Sequence, residues 1–129
     1  MENSVGNFND KFRQRTRGLA MSICRWADQL PRKDSIFHLK GQIIRSSASV
    51  AANFSAACRA RSSREYYSKI CIVVEECDET LFWLGFLTEM HSIIDEKTEL
   101  IQKETSELLA VFSVTRKTLK VKRETNGLS

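Results

Sequence analysis

A chain of 129 residues with one proline and five glycines has room for one domain of long, uninterrupted elements. No run reaches the roughly 18 apolar residues that span a bilayer, and Met1 to Asp10 is polar with no apolar signal-peptide core. A soluble, cytoplasmic protein with no membrane partner is therefore expected.

The first predicted helix runs from about residue 10 to 30. Phe12, Thr16, Leu19, Ile23, Trp26 and Leu30 recur at spacings of three and four, which paints one apolar stripe. Pro31 ends it. The second helix, about 34–58, should open on Asp34 as its N-cap. Its stripe is Ile36, Leu39, Ile43, Ser47, Val50, Phe54 and Ala57, and the serines and alanines between Ser46 and Ala57 let a neighbouring helix approach closely.

The third helix, about 62–91, has the clearest start. Ser62-Ser63-Arg64-Glu65 is a capping box. Its stripe is Tyr66, Ile70, Val73, Cys77, Leu81, Leu84 and Thr88. Leu81 to Leu87 is apolar nearly all round, so Phe82, Trp83 and Phe86 are expected to form a second buried face, an oligomer interface. The fourth helix, about 95–121, carries Ile101, Leu108, Val111, Thr115 and Leu119. All three connections are short, which makes sequential helices antiparallel neighbours. The expected fold is all-α, an up-down-up-down four-helix bundle in one domain over residues 1–129.

Catalytic chemistry has no foothold in the sequence. There is no glycine-rich phosphate loop, nucleophile elbow or paired-histidine motif. Cys24, Cys58, Cys71 and Cys77 form no C-x-x-C pair, and most of them, with Cys58, Cys71 and Cys77 among apolar or small helical residues, read as reduced, buried, structural thiols. His38 and His91 fall near one pole with no ligand set around them. The acids of the third helix lack the Glu-x-x-His spacing of a di-metal bundle. No enzyme activity, cofactor or metal is expected. With the turn near residue 60, antiparallel pairing sets Arg45 beside Glu75 and Glu76 with Glu79 one turn on, Gln42 beside Asp78 and Glu79, and Asn53 beside Tyr67. That polar network fixes register.

The charge is uneven. Residues 1–64 carry twelve Lys or Arg and four acids, and residues 65–129 carry eight and twelve, so the net charge of +4 splits into +8 and −4. The bases form three clusters: Lys11, Arg13, Arg15 and Arg17; Arg59, Arg61 and Arg64; Arg116, Lys117, Lys120, Lys122 and Arg123. The topology brings all three to one pole. Cations suit the end of the fourth helix, but four at the start of the first would oppose its dipole. An anionic partner, RNA or DNA, is one reading. A merely solvated basic pole is the other.

Ile43 to Phe54, reading IIRSSASVAANF, resembles the second-helix signature of the bacterial four-helix-bundle protein family, first recognised in intervening sequences of 23S ribosomal RNA genes. AACRARSSREY, Ala56 to Tyr66, and VEECDETLFWL, Val74 to Leu84, fit one branch of it. Arg45, Ser46, Val50, Asn53, Ser62 and Glu79 fall on its motif positions. The resemblance covers about residues 12–120. It implies a left-handed bundle, a homopentamer and no enzyme activity. A more distant likeness, to the accessory protein of diversity-generating retroelements, implies nucleic acid and a reverse transcriptase as partners. Many members read Asn-Ile-Ala-Glu-Gly where this chain has Asn53-Phe54-Ser55-Ala56-Ala57, so no role of that glutamate carries over. A protein-interaction scaffold without a nucleic-acid role is the alternative function.

Overall fold

In the computed structural model, which describes residues 2–126, four helices follow one another: α1 (Glu2–Asp28), α2 (Asp34–Ala57), α3 (Ser63–Met90) and α4 (Glu96–Thr125). Each packs against its chain neighbours, and α1 closes on α4, while the diagonal pairs make no close backbone approach. This is an all-α antiparallel four-helix bundle. No helix among the described residues is long and apolar enough to cross a membrane.

All six stripe residues of α1 are buried, from Phe12 to Leu30. The helix starts eight residues earlier than its periodicity suggests. Phe8, half-buried, extends the stripe by one turn and packs on Phe12 at 4.6 Å and Phe54 at 6.2 Å between ring centroids. Phe112 of α4 joins them, 5.7 Å from Phe12 and 5.0 Å from Phe54. This four-ring cluster closes one end of the core. At the other end the Trp26 indole donates to Thr98 Oγ1 at 2.8 Å, which ties α1 to α4.

The small residues of α2 do bring α3 close. Ser46 and Thr80 are fully buried with their hydroxyl oxygens 2.8 Å apart. Thr16 and Thr105 return their hydroxyl protons to their own helix, Thr105 to the Ile101 carbonyl at 2.7 Å, whereas the Thr88 hydroxyl oxygen is buried without a partner among the described residues.

The stripe of α4 is shifted from the expected one. Thr98, Ile101, Thr105, Leu108 and Phe112 are buried, whereas Val111 is only half-buried. Asp34 is also not the expected cap. Lys33 occupies the N-cap position of α2 with no side-chain cap bond, and Asp34 is the first helical residue.

The N-termini of α3 and α4 are capped as polar chemistry requires. Ser62 Oγ accepts from the Glu65 N–H at 3.1 Å, and Glu65 reaches back to the Arg61 N–H at 2.8 Å. Asp95 accepts from the Thr98 N–H at 2.7 Å. The α3–α4 turn places Ser92 at φ 53°, and Ile93 donates to the Thr88 carbonyl at 2.9 Å. That is a Schellman closure with serine where glycine is the usual residue.

Backbone bonds hold the Asp95 and Glu65 carboxyls below their ordinary range. A depressed carboxylate contributes stability fully above its unfolded pKa and loses it as pH falls through the folded value. The melting temperature should therefore fall between about pH 5 and pH 2, and Asp95→Asn should flatten that fall. Circular dichroism melts across this range check both outcomes.

Candidate nucleic-acid interface

The basic residues divide once the helices are in place. The cluster on α1 is not at a helix start. Because α1 begins at Glu2, Lys11 to Arg17 lie in its interior. The dipole acts only on the first turn, so the expected conflict with it does not arise.

Arg15 leaves the anion-facing set. Its guanidinium reaches across to α4, with Nε 2.9 Å and Nη2 2.5 Å from the Glu104 carboxylate, and Glu107 lies 3.1 Å away. These glutamates, Glu104 foremost, raise the Arg15 pKa. Two carboxylates on one cation make it an α1–α4 tie rather than a docking charge. Arg13 pairs with Asp10. Arg17 is exposed in the groove between α1 and α2, beside Ala20, Ala51 and Ser55.

The other two clusters do meet part of the first, around consecutive tyrosines at the start of α3. On one side, the Cys58 thiol feels Arg13, Arg59 and Asp10, and Tyr66 feels Cys58. Burial pushes both groups up. On the other side, the Arg123 guanidinium stacks 4.7 Å above the Tyr67 ring, and the charges of Arg123 and Arg116 both reach the phenol. A hydrogen bond with the Cys71 thiol raises the Tyr67 pKa nonetheless. Arg13 of α1 and Arg59 of the α2–α3 turn thus flank Cys58, next to Tyr66, while Arg116 and Arg123 of α4 flank Tyr67.

Lys11, Arg59, Arg61, Arg64, Lys117, Lys120 and Lys122 are exposed, while Arg116 and Arg123 are half-buried. Arg59 donates to Ser55 Oγ at 3.0 Å and takes no ion pair among the described residues. Arg61 has Glu65 at 3.6 Å but is 89% exposed, a pair worth little in water. The tyrosines were not singled out by sequence as part of the pole. Their signal was position, directly after the capping box and between two basic clusters.

The register network also sits one step from the expected pairing. Arg45 bonds Glu76 at 3.2 Å and also Glu79, which accepts from the Trp83 indole as well. Ser49 donates to Glu76 at 3.1 Å. Gln42 and Glu75 are exposed and take no hydrogen bond in this network. Asn53 does not meet Tyr67. It donates to the Ser49 carbonyl and hydroxyl of its own helix, both at 2.9 Å. Arg45 is half exposed, so the network is a surface clasp between α2 and α3. Phe82 and Phe86 are 58% and 44% exposed, and Trp83 is half-buried against the core.

Nothing in the described residues gathers three or more His, Cys, Asp or Glu around a point that could hold a metal ion. His91 lies against the Leu87 carbonyl at 2.9 Å as part of the α3 cap, and exposed His38 stands edge-on to Phe37. The thiols differ sharply. Cys77 is buried, and burial pushes its pKa to about 12, whereas Cys24 is exposed. A thiol reagent should label Cys24 first and Cys77 only on unfolding, as peptide mass mapping over time would show.

Fold and site together define a helical bundle with basic residues gathered beside the tyrosines at one end. The sequence pattern described as "23S rRNA-intervening sequence protein" matches residues 9–113. The chain belongs to that family. It is similar to a crystal structure, at 1.70 Å, of a protein with unknown function from the S23 ribosomal protein family of Bacteroides thetaiotaomicron VPI-5482. The identity is 27% and the TM-score 0.73, over 81% of this chain and 97% of that one. No match is found among curated proteins.

Proposed function

We propose that this protein binds RNA or DNA through its basic pole, without marked sequence preference, and acts as an accessory factor rather than as an enzyme. The observation that carries the reading is the gathering of basic residues from three elements at one end of the bundle, with Arg13 and Arg59 beside Cys58 and with Arg116 and Arg123 beside Tyr67. Phosphate backbones are recognised by such charge, and a face without base-reading geometry has no means to specify sequence. Tyr67, held by Arg123, adds a π-face of the kind on which bases stack. The family to which the chain belongs takes its description from ribosomal RNA genes, which agrees with a nucleic-acid partner and does not specify one.

Fluorescence anisotropy with labelled single-stranded and duplex oligonucleotides at low salt tests the reading. Binding to several unrelated sequences with similar affinity is the expected result. The absence of binding at low salt would overturn it.

A further inference from the structure

We infer that the basic pole seats one unpaired nucleotide of an RNA or DNA strand, its base in an apolar depression between the start of α1 and the end of α4, its phosphate on the lysines beyond Thr118. This seat presupposes the nucleic-acid reading and adds to it a demand for unpaired bases.

The depression, of about 370 Å³, is lined by Val5 and Phe8 of α1, Tyr66 of α3, and Val114, Thr118 and Leu119 of α4. Phe8, Tyr66 and Leu119 are half-buried and floor it, while Val5 and Val114, 64% and 65% exposed, stand at its rim. The Phe8 ring is held by Phe12 and Phe54, so the floor is an extension of the core. Thr115 also lines the depression, but its hydroxyl donates to the Val111 carbonyl of its own helix at 2.8 Å. What faces outward is an apolar hollow with Phe8 and Tyr66 in it, and aromatic side chains are the platforms on which bases stack.

A second depression, of about 470 Å³, adjoins the first, and Thr118 lines both. Lys117 and Lys122 border the second. Both are exposed and take no ion pair among the described residues. No acidic side chain among the described residues lines either depression. Val114, Thr118, Val121 and Thr125 follow at spacings of four, three and four, an exposed and uncharged face of α4 that joins the two. A nucleotide matches this arrangement because it carries a planar base and a phosphate a few bonds apart. A neutral peptide or an acyl chain would leave the lysines without a counter-charge.

The base that enters must be unpaired. In a duplex its faces are stacked and its edge is paired, so only a single strand, a loop or an end can place one in the hollow. Contact through the faces of the base tolerates every base, which agrees with binding without marked sequence preference. Of the residues that line the hollow, only Tyr66 falls within residues 9–113 that carry the family pattern, so the family does not account for it.

Fluorescence anisotropy at low salt tests the seat by comparing a labelled single strand with the same strand carrying abasic sites, each as RNA and as DNA. Backbone charge is equal within each pair, so a difference belongs to the bases. The intact strand should bind at least about tenfold more tightly than the abasic one in one or both sugar series. Val114→Met with Thr118→Met fills the hollow without changing charge. Both positions are exposed, and methionine is a better helix former than valine or threonine; circular dichroism checks the fold. This variant should bind the intact strand only as tightly as the wild type binds the abasic one. Lys117→Gln with Lys122→Gln should weaken both strands and flatten the salt slope by about 1.4. Equal affinity for intact and abasic strands, or a filled variant that keeps the full difference, would overturn the seat and leave the charge-based reading standing. No binding of either strand at low salt would overturn both.

Discussion

Phe112→Ala should destabilise the bundle by about 3–5 kcal/mol, the range for truncating a buried aromatic. Phe112 is fully buried and touches rings from two other helices, with centroids 5.7 Å from Phe12 and 5.0 Å from Phe54. Its removal takes one of the four rings out of the cluster and leaves a cavity that a close-packed interior refills only in part. Since whole domains are stable by only about 5–15 kcal/mol, the urea midpoint should fall steeply with an unchanged slope. Val114→Ala, 65% exposed on the same helix, should change stability by no more than about 0.5 kcal/mol. A small effect at Phe112 would mean that α4 is wrongly phased.

The second large effect concerns binding. Reversing Arg59, Lys117 and Lys120 to Glu removes three exposed cations from the pole, and none of them is ion-paired within the described chain. Each phosphate contact contributes about 0.7 to the salt slope on single strands. The triple variant should therefore bind at least about tenfold more weakly at low salt, with a slope flatter by about two. Arg15→Glu should act differently. It sets a third carboxylate against Glu104 and Glu107, so it should lower stability while leaving the slope of the surviving folded protein nearly unchanged. Anisotropy and melts on the same samples separate the two.

The sequence exposes much of this fold because the core stripes are written at helical spacing. The α1 stripe is read without error because all but one of its members are large and apolar. The α4 stripe is misread because Thr98 and Thr105 fill core positions with polar letters, their hydroxyls satisfied by Trp26 and by the Ile101 carbonyl. After Leu108, both Val111 and Phe112 fit a helical repeat, and only packing decides between them. The early start of α1 is hidden by Gly6 and the asparagines around Phe8.

The site was legible in proportion to how directly the chain constrains it. Arg45 was placed within one turn of its partners because a short turn fixes the α2–α3 register. The Arg15–Glu104 pair was out of reach. It joins the first and last helices, whose register no connecting loop sets. The Phe82 to Phe86 face was visible as apolar excess, but the surface between α1 and α2 was not. The groove between α1 and α2 is made of alanines, a glycine and scattered cations, and becomes a surface only when two helices lie together.

The central claim is that phosphate contacts at one pole carry the function, and salt dependence tests it most directly. Affinity for a single-stranded oligonucleotide should be measured by anisotropy from about 50 to 200 mM salt. With about five phosphates neutralised, the plot of log affinity against log salt should be linear with a slope near −3.5, a loss of about a hundredfold across that range. A slope near zero, or no binding at the lowest salt, would contradict the account.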